Sequence, residues 1–311
     1  MRKKVELKIK WFLVDFLCFF GWRPKMNLKS GAVKALLFHG VCLDNEPLIN
    51  GRFIHLSRLD KLLQALSAHF HLISLEDYKT NRISMSKPSI VCTFDDGYKN
   101  NLELALPLFD KYNIPFAIFC NNVPHHLMDL LDIANYWQPT LIETFKKQFD
   151  LLKSLPHIKA HCKVQNAEVV SEMRNYLWKN LSPDVKEKSK RYWELLSDAE
   201  ISSLSKNKLV SFGNHGADHL SYTCLTEKQM LADVKAVDKR FKQMAVKLKG
   251  FAYPYSESSY RTISLVNKVG YDLQFSELTT NETTLIAKNR LTINPFISAT
   301  NQLIAISKDQ Y

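Results

Sequence analysis

From residue 33 onward, apolar runs of strand length alternate with stretches whose apolar residues recur at helical spacing. A chain with that alternation buries both kinds of face by laying parallel strands side by side under a cover of helices, so it reads as α/β. Residues 33–41, 89–94, 115–120, 208–212, 249–252 and 271–275 read as strands, with a shorter one over 71–74. Between them, Ser57 is placed to cap a helix carrying Leu59, Leu62, Leu63 and Leu66 on one face, and Thr226 to cap another. Further helices are expected after residue 101 and near 259–269. The alternation lapses between residues 121 and 206, too long a stretch for a plain connection. Its Leu, Lys and aromatic residues predict a mainly helical insertion beside the sheet. The 311 residues then suit one α/β barrel domain over 31–311, preceded by a separate segment, 1–30.

That first segment holds eight of the 42 Lys and Arg but two of the 31 Asp and Glu, which is more than half of the net charge of +11. The remaining body is close to ordinary in charge and gives no basis for nucleic-acid binding. Residues 11–22 form an aromatic-rich run broken only by Asp15. It is shorter than the roughly 20 apolar residues that cross a bilayer. The Asp15 interruption, and Gly-Trp-Arg-Pro-Lys at 21–25 in place of small residues, speak against a cleaved signal peptide. Two readings stand: an interfacial helix touching a membrane through residues 1–25, or a helix packed on the domain. Six cysteines without a CxxC pair ask for no oxidising compartment.

In parallel α/β folds, functional groups collect at the carboxyl ends of the strands. Four such ends carry polar groups: His39, Asp95-Asp96, Asn214 with His215 through His219, and Tyr253-Pro254-Tyr255. Two adjacent carboxylates after a buried strand bind a cation, supply a base, or merely make a turn. His215 and His219, four apart, reach one metal if the segment makes a helical turn. Combined with Asp96 they form the two-His, one-carboxylate set of catalytic zinc sites, with a position left for water. His157 and His161 share the spacing without an accompanying carboxylate pair and read as a solvated helix face.

Thr93-Phe-Asp-Asp-Gly97, then Asn214 with His215-Gly-Ala-Asp-His219, then Phe251-Ala-Tyr-Pro-Tyr255 resemble, in that order, the motifs of the polysaccharide deacetylases, carbohydrate esterase family 4. The resemblance spans about residues 33–276 outside the insertion. The last motif is similar to the branch acting on poly-N-acetylglucosamine and bacterial surface polysaccharides. It implies a distorted (β/α) barrel that hydrolyses an N-acyl group, usually acetyl, from an amino sugar. In that picture Asp96, His215 and His219 hold a divalent metal, Asp95 is the general base, and the Tyr255 backbone N–H holds the oxyanion. Pro254 and Asn214 then border the substrate. Three departures stand out. No His follows His219, so the general acid many members take from a late motif is missing, and His39 is the substitute. Ala252 stands where many members carry an Arg that orients the catalytic Asp. Ser256 stands where Gly is usual.

His55, His69, His71, His125 and His126 read as structural or surface residues, the last two near enough to a strand end to touch substrate. Tyr136 and Trp137 could stack on sugars or fill core. The expected activity is metal-dependent removal of N-acetyl or N-formyl from an amino sugar of a surface polysaccharide or lipid-linked precursor. Zinc is the default ion, with Co2+, Mn2+ and Ni2+ as alternatives. The expected location is cytoplasmic and peripheral at the inner membrane face rather than secreted. The competing reading is a catalytically inactive carbohydrate-binding relative.

Overall fold

The computed structural model describes residues 2–24, 31–43, 49–84, 86–151, 154–276 and 287–308. Among the described residues eleven strands are present: β1 (Val33–Phe38), β2 (Val41–Cys42), β3 (Ile54–His55), β4 (His71–Leu72), β5 (Ser89–Phe94), β6 (Phe116–Cys120), β7 (Val210–Asn214), β8 (Leu248–Ala252), β9 (Gln274–Phe275), β10 (Ala287–Lys288) and β11 (Arg290–Thr292). Nine of them form one sheet in the order β10-β9-β8-β7-β6-β5-β1-β11, with β4 also beside β5. Every pairing between these strands is parallel.

The two ends of that order are consecutive in the chain: only Asn289 separates β10 from β11. One residue spans at most about 3.6 Å. The sheet therefore curls until its edges meet, joined by the chain itself and not by a ladder. This is the expected α/β architecture as a distorted barrel.

Strand periodicity sorts the side chains into two layers. Ala35, Val91, Ala117, Phe119, Ala252 and Phe275 cluster together as the inner layer. Their alternates Leu36, Phe38, Cys92, Phe94, Phe116 and Ile118 pack with Leu59, Leu62, Leu63 and Leu66 of the helix Leu56–His69. Along β5 this puts Val91, Thr93 and, one step past the strand, Asp95 on the same face.

Two local expectations change. The strand expected over 33–41 stops at Phe38, and Val41–Cys42 turns away to pair with Ile54–His55. Gly40 permits the turn, because a Cβ there would lie 2.4 Å from the Phe53 ring. The helix expected to be capped by Ser57 is capped by His55, whose Nδ1 accepts from the Ser57 backbone N–H at 3.2 Å.

Between β6 and β7 the chain forms helices from Leu127–Trp137 to Asp198–Leu204, with Leu130, Leu131, Ile142, Phe145, Met173 and Leu177 in their core. Trp137 packs against this core, whereas Tyr136 is exposed. The helix Arg2–Phe19 docks on Ala299–Lys308 through Asp15, which accepts from Ser298 Oγ at 2.5 Å and Asn301 Nδ2 at 2.8 Å. Phe12, Phe16, Phe19 and Phe20 of this segment remain exposed.

Candidate active site

Local backbone geometry delivers each polar group to the strand ends. The Asp95 N–H donates to Phe38 O at 3.0 Å, and the chain then turns through left-handed Asp96 (φ 75°) and Gly97 (φ 73°). After β7, the His215–His219 segment is an irregular loop with Gly216 at φ 69° and His219 at φ 53°, so the two imidazoles converge without the helical turn that their spacing would allow. Asp233 replaces helical hydrogen bonding: its carboxylate accepts from the Ala217 and Asp218 N–H groups, each at 2.8 Å, and from Tyr222 Oη at 2.6 Å. Asn214, expected to border substrate, is fully buried beneath this loop. Its Oδ1 accepts from the Gly216 N–H at 2.9 Å and its Nδ2 donates to Val234 O at 3.0 Å, so it shapes the loop from beneath.

The result is a ring of imidazoles around one carboxylate oxygen. Asp96 Oδ1 lies 3.2 Å from His219 Nε2, 3.5 Å from His215 Nε2 and 3.7 Å from His126 Nε2. It is buried without a hydrogen-bond donor. Asp96, His215 and His219 each offer a ligand atom within 4.8 Å of the others. His215 Nδ1 is engaged by Ala252 O at 2.8 Å, which turns Nε2 toward the cluster. Burial alone would raise the Asp96 carboxyl, but the surrounding imidazoles hold it well below the usual carboxylate range. Burial pushes His219 and His126 down to about 4, leaving both neutral and able to coordinate. His215 goes the other way: burial works to lower it, but Asp95 and Asp96 outweigh that and raise its proton affinity, so it holds a proton that a cation bound at the same carboxylate oxygen would displace.

Asp95 has a different partner. Arg290 grips it with a two-pronged ion pair, Nη1 to Oδ1 at 2.7 Å and Nη2 to Oδ2 at 2.6 Å. Burial works to raise the Asp95 carboxyl, and Arg290 with His215 outweighs it to keep the group ionised. The guanidinium lies 5.2 Å from the Phe275 ring centre and 5.6 Å from that of Phe119, in the inner layer that also contains Ala252. The arginine sought at position 252 is thus supplied from β11.

His39 is half-buried and makes no side-chain hydrogen bond among the described residues, while Asn101 Nδ2 fixes its carbonyl at 2.9 Å. Burial depresses it to about 4, with Asp96, Arg52, Asp95 and Arg290 all near enough to act on it. Arg52 bridges Asp96 Oδ2, at 3.4 Å, and Asp129 of the insertion. Pro254 is buried and opens the one-turn helix that carries Tyr255. Tyr255 and Ser256 sit at φ 60° and 58°, a backbone region that favours glycine and accounts for the usual Gly at position 256. The Tyr255 ring stands 4.7 Å from that of His219.

Sequence reasoning missed Arg290, and it gave no specific role to His126. A lone arginine in a three-residue strand gives no motif signal. His126 sits beside the expected strand end, but only the fold shows its nitrogen facing Asp96. His157 and His161 are exposed on the helix Leu155–Lys163, away from this cluster.

The polysaccharide deacetylase family model matches residues 82–274. No curated protein matches the chain by sequence. Among solved structures, the Streptococcus pyogenes deacetylase PplD in complex with acetate aligns with a TM-score of 0.58 at 15% identity, over 88% of this chain and 98% of that one. IcaB from Ammonifex degensii aligns at 0.55 and 16% identity, over 90% and 99%. The BpsB deacetylase domain from Bordetella bronchiseptica aligns at 0.51 and 13%, over 85% and 97%.

Proposed function

The chain belongs to the polysaccharide deacetylase family, and on that premise we propose that it is a metal-dependent hydrolase removing an N-acetyl or N-formyl group from an amino sugar of a surface polysaccharide or glycolipid precursor. The observation that carries this reading is the buried Asp96 Oδ1, unpartnered and ringed by imidazole nitrogens, beside an ionised Asp95.

Asp96, His215 and His219 would hold a divalent ion, zinc by default for this donor set. When bound, such an ion acidifies water and polarises an acyl carbonyl. Asp95 acts as the base that takes the proton of the attacking water, and Arg290 keeps its carboxylate ionised and aimed. The Tyr255 N–H, held at the start of a one-turn helix, donates to the oxyanion of the tetrahedral intermediate. His39, with no side-chain hydrogen bond to keep among the described residues, takes up a proton from solvent during the cycle and gives it to the leaving amine. Arg290 also supplies the guanidinium whose absence at position 252 favoured a non-catalytic relative.

Elemental analysis of the purified chain should find about one divalent ion, lost in His215→Ala together with acyl release from N-acetylated and N-formylated amino-sugar probes. A wild type that stays metal-free after reconstitution, or a His215→Ala protein that still turns over, overturns the reading.

We further propose that the helix Arg2–Phe19 rests on an anionic membrane surface at the cytoplasmic face, where a lipid-linked sugar would be presented. No helix among the described residues is long and apolar enough to cross a bilayer. Asp15 faces the domain, so the exposed Phe12, Phe16 and Phe20 are free to enter the interface, and the basic residues of this segment complement acidic head groups. The full chain should co-sediment with phosphatidylglycerol vesicles but not phosphatidylcholine ones, and lose that binding at least tenfold in Phe16→Asp/Phe20→Asp. Equal partitioning of both proteins refutes it.

A further inference from the structure

The insertion contributes two cations that the proposed chemistry does not use. Arg174, on the helix Ala167–Asn180, is 9% exposed, and its Nε has no hydrogen-bond partner among the described residues. Most buried arginines are paired, because a guanidinium stripped of water without a carboxylate is costly. In this protein the other buried guanidinium of the site follows that rule, since Arg290 is locked to Asp95. Arg174 makes no ion pair among the described residues. Burial lowers its proton affinity, and only Asp218 and the Tyr255 phenol pull the other way.

Lys163, at the end of the helix Leu155–Lys163, places Nζ 4.7 Å from the centre of the Tyr255 ring. It too lacks an ion-pair partner among the described residues. Tyr255 is in turn 4.7 Å, ring to ring, from His219. Lys163 therefore stands against the turn whose N–H faces the oxyanion, and Arg174 is near enough for Asp218 and the Tyr255 phenol to act on it. A buried guanidinium with an Nε that no protein acceptor among the described residues engages is complementary to an anion arriving with the ligand.

We propose that Arg174 and Lys163 form a subsite for an oxyanion carried by the substrate, a phosphate or a carboxylate within one sugar unit of the scissile amide. This rests on the amino-sugar reading above and narrows it to anionic substrates. A phosphate would belong to a sugar on a lipid or nucleotide carrier, and a carboxylate to a uronate-containing glycan.

Calorimetric binding to the metal-loaded full chain tests it with three probes: N-acetylglucosamine, N-acetylglucosamine 1-phosphate and N-acetylglucosaminuronate. One or both anionic probes should bind at least tenfold more tightly than the neutral sugar, and which one does so identifies the source of the anion. The preference should vanish in Arg174→Met, fall several-fold in Lys163→Met and be largely kept in Arg174→Lys. Lys163 is only half-buried, so its variant reports even if Arg174→Met fails to fold. Equal affinity of the wild type for all three probes overturns the subsite, as does a preference that survives Lys163→Met and Arg174→Met; that second result would mean the anion binds at the metal. Acyl release measured on the same samples separates the two claims. An Arg174-dependent preference without turnover keeps the subsite and sinks the deacetylase reading, and turnover without preference does the reverse.

Discussion

Asp95→Asn is expected to lower kcat for acyl release by about 10²–10⁴-fold while leaving the metal content at the wild-type level. The substitution keeps the shape of the side chain and one oxygen for Arg290, but it removes the charge of the buried pair as well as the ability to accept a proton, so a thermal melt accompanies the kinetics. Asp95 is outside the Asp96, His215 and His219 set that can converge on one ion, so metal binding should survive. His215→Ala, which removes a ligand, loses both properties, and the contrast between the two variants assigns base and ligand. His39→Gln belongs in the same series. Its imidazole is neutral in the resting site, since burial depresses it to about 4, so it must gain a proton within the cycle before donating one. The variant should lose kcat by a similar factor with KM little changed. Undiminished kcat in Asp95→Asn removes the base from the mechanism, and undiminished kcat in His39→Gln passes the acid role to another group, with His126, whose ring stands 4.8 Å from that of His219, the next candidate.

What the sequence disclosed follows from how local each signal is. Asp95-Asp96-Gly97 and His215 through His219 are contiguous motifs at the ends of apolar strands, and strand ends in parallel sheets converge whatever the details of the sheet. The succession of strands and helices along the chain was legible for the same reason, because strand-length apolar runs alternating with helical spacing are written in short windows, whereas the order of the strands in the sheet was not. Arg290 is the opposite case. It lies 195 residues from Asp95, in a three-residue strand whose position beside β1 exists only because the sheet curls and brings the ends of the strand order together across Asn289. No local pattern marks such a residue. Ala252 was read as a loss, but its small side chain belongs to the inner layer against whose Phe119 and Phe275 rings the Arg290 guanidinium lies. Asn214 failed for a related reason: proximity to a motif in sequence put it next to His215, yet strand alternation turned its side chain under the loop, toward Val234, Asp238 and Tyr271. His126 needed the insertion to fold before its nitrogen faced Asp96.

Arg290→Met should have the largest combined effect on stability and activity of any substitution outside the ligand set. The Arg290 and Asp95 side chains are 2% and 4% exposed, so the change strands a carboxylate in the interior. Breaking one partner out of a buried pair costs about 3–5 kcal/mol, and loss of the packing on Phe119 and Phe275 adds to it. The sign of the pH effect follows from the forces on Asp95. Burial favours its neutral acid and Arg290 is the main force holding it ionised, so without the guanidinium its pKa rises. In the wild type a depressed carboxyl contributes stability above the ordinary carboxylate range and loses it as pH falls through the folded-state value. In Arg290→Met the folded-state value is raised, so the penalty grows as pH rises and the carboxylate is forced to ionise. Activity should move with the same proton. The acidic limb of kcat/KM shifts to higher pH in Arg290→Met, and turnover lost at neutral pH is partly recovered in alkaline buffer. Arg290→Lys keeps the charge but not the two-pronged grip, so it should retain much of the pH profile with a lower kcat from poorer aim. Thermal melts and pH–rate profiles of the three proteins, with metal content checked in each, decide the matter. A variant with wild-type melting temperature and an unmoved acidic limb would mean that Asp95 is held ionised by something other than β11.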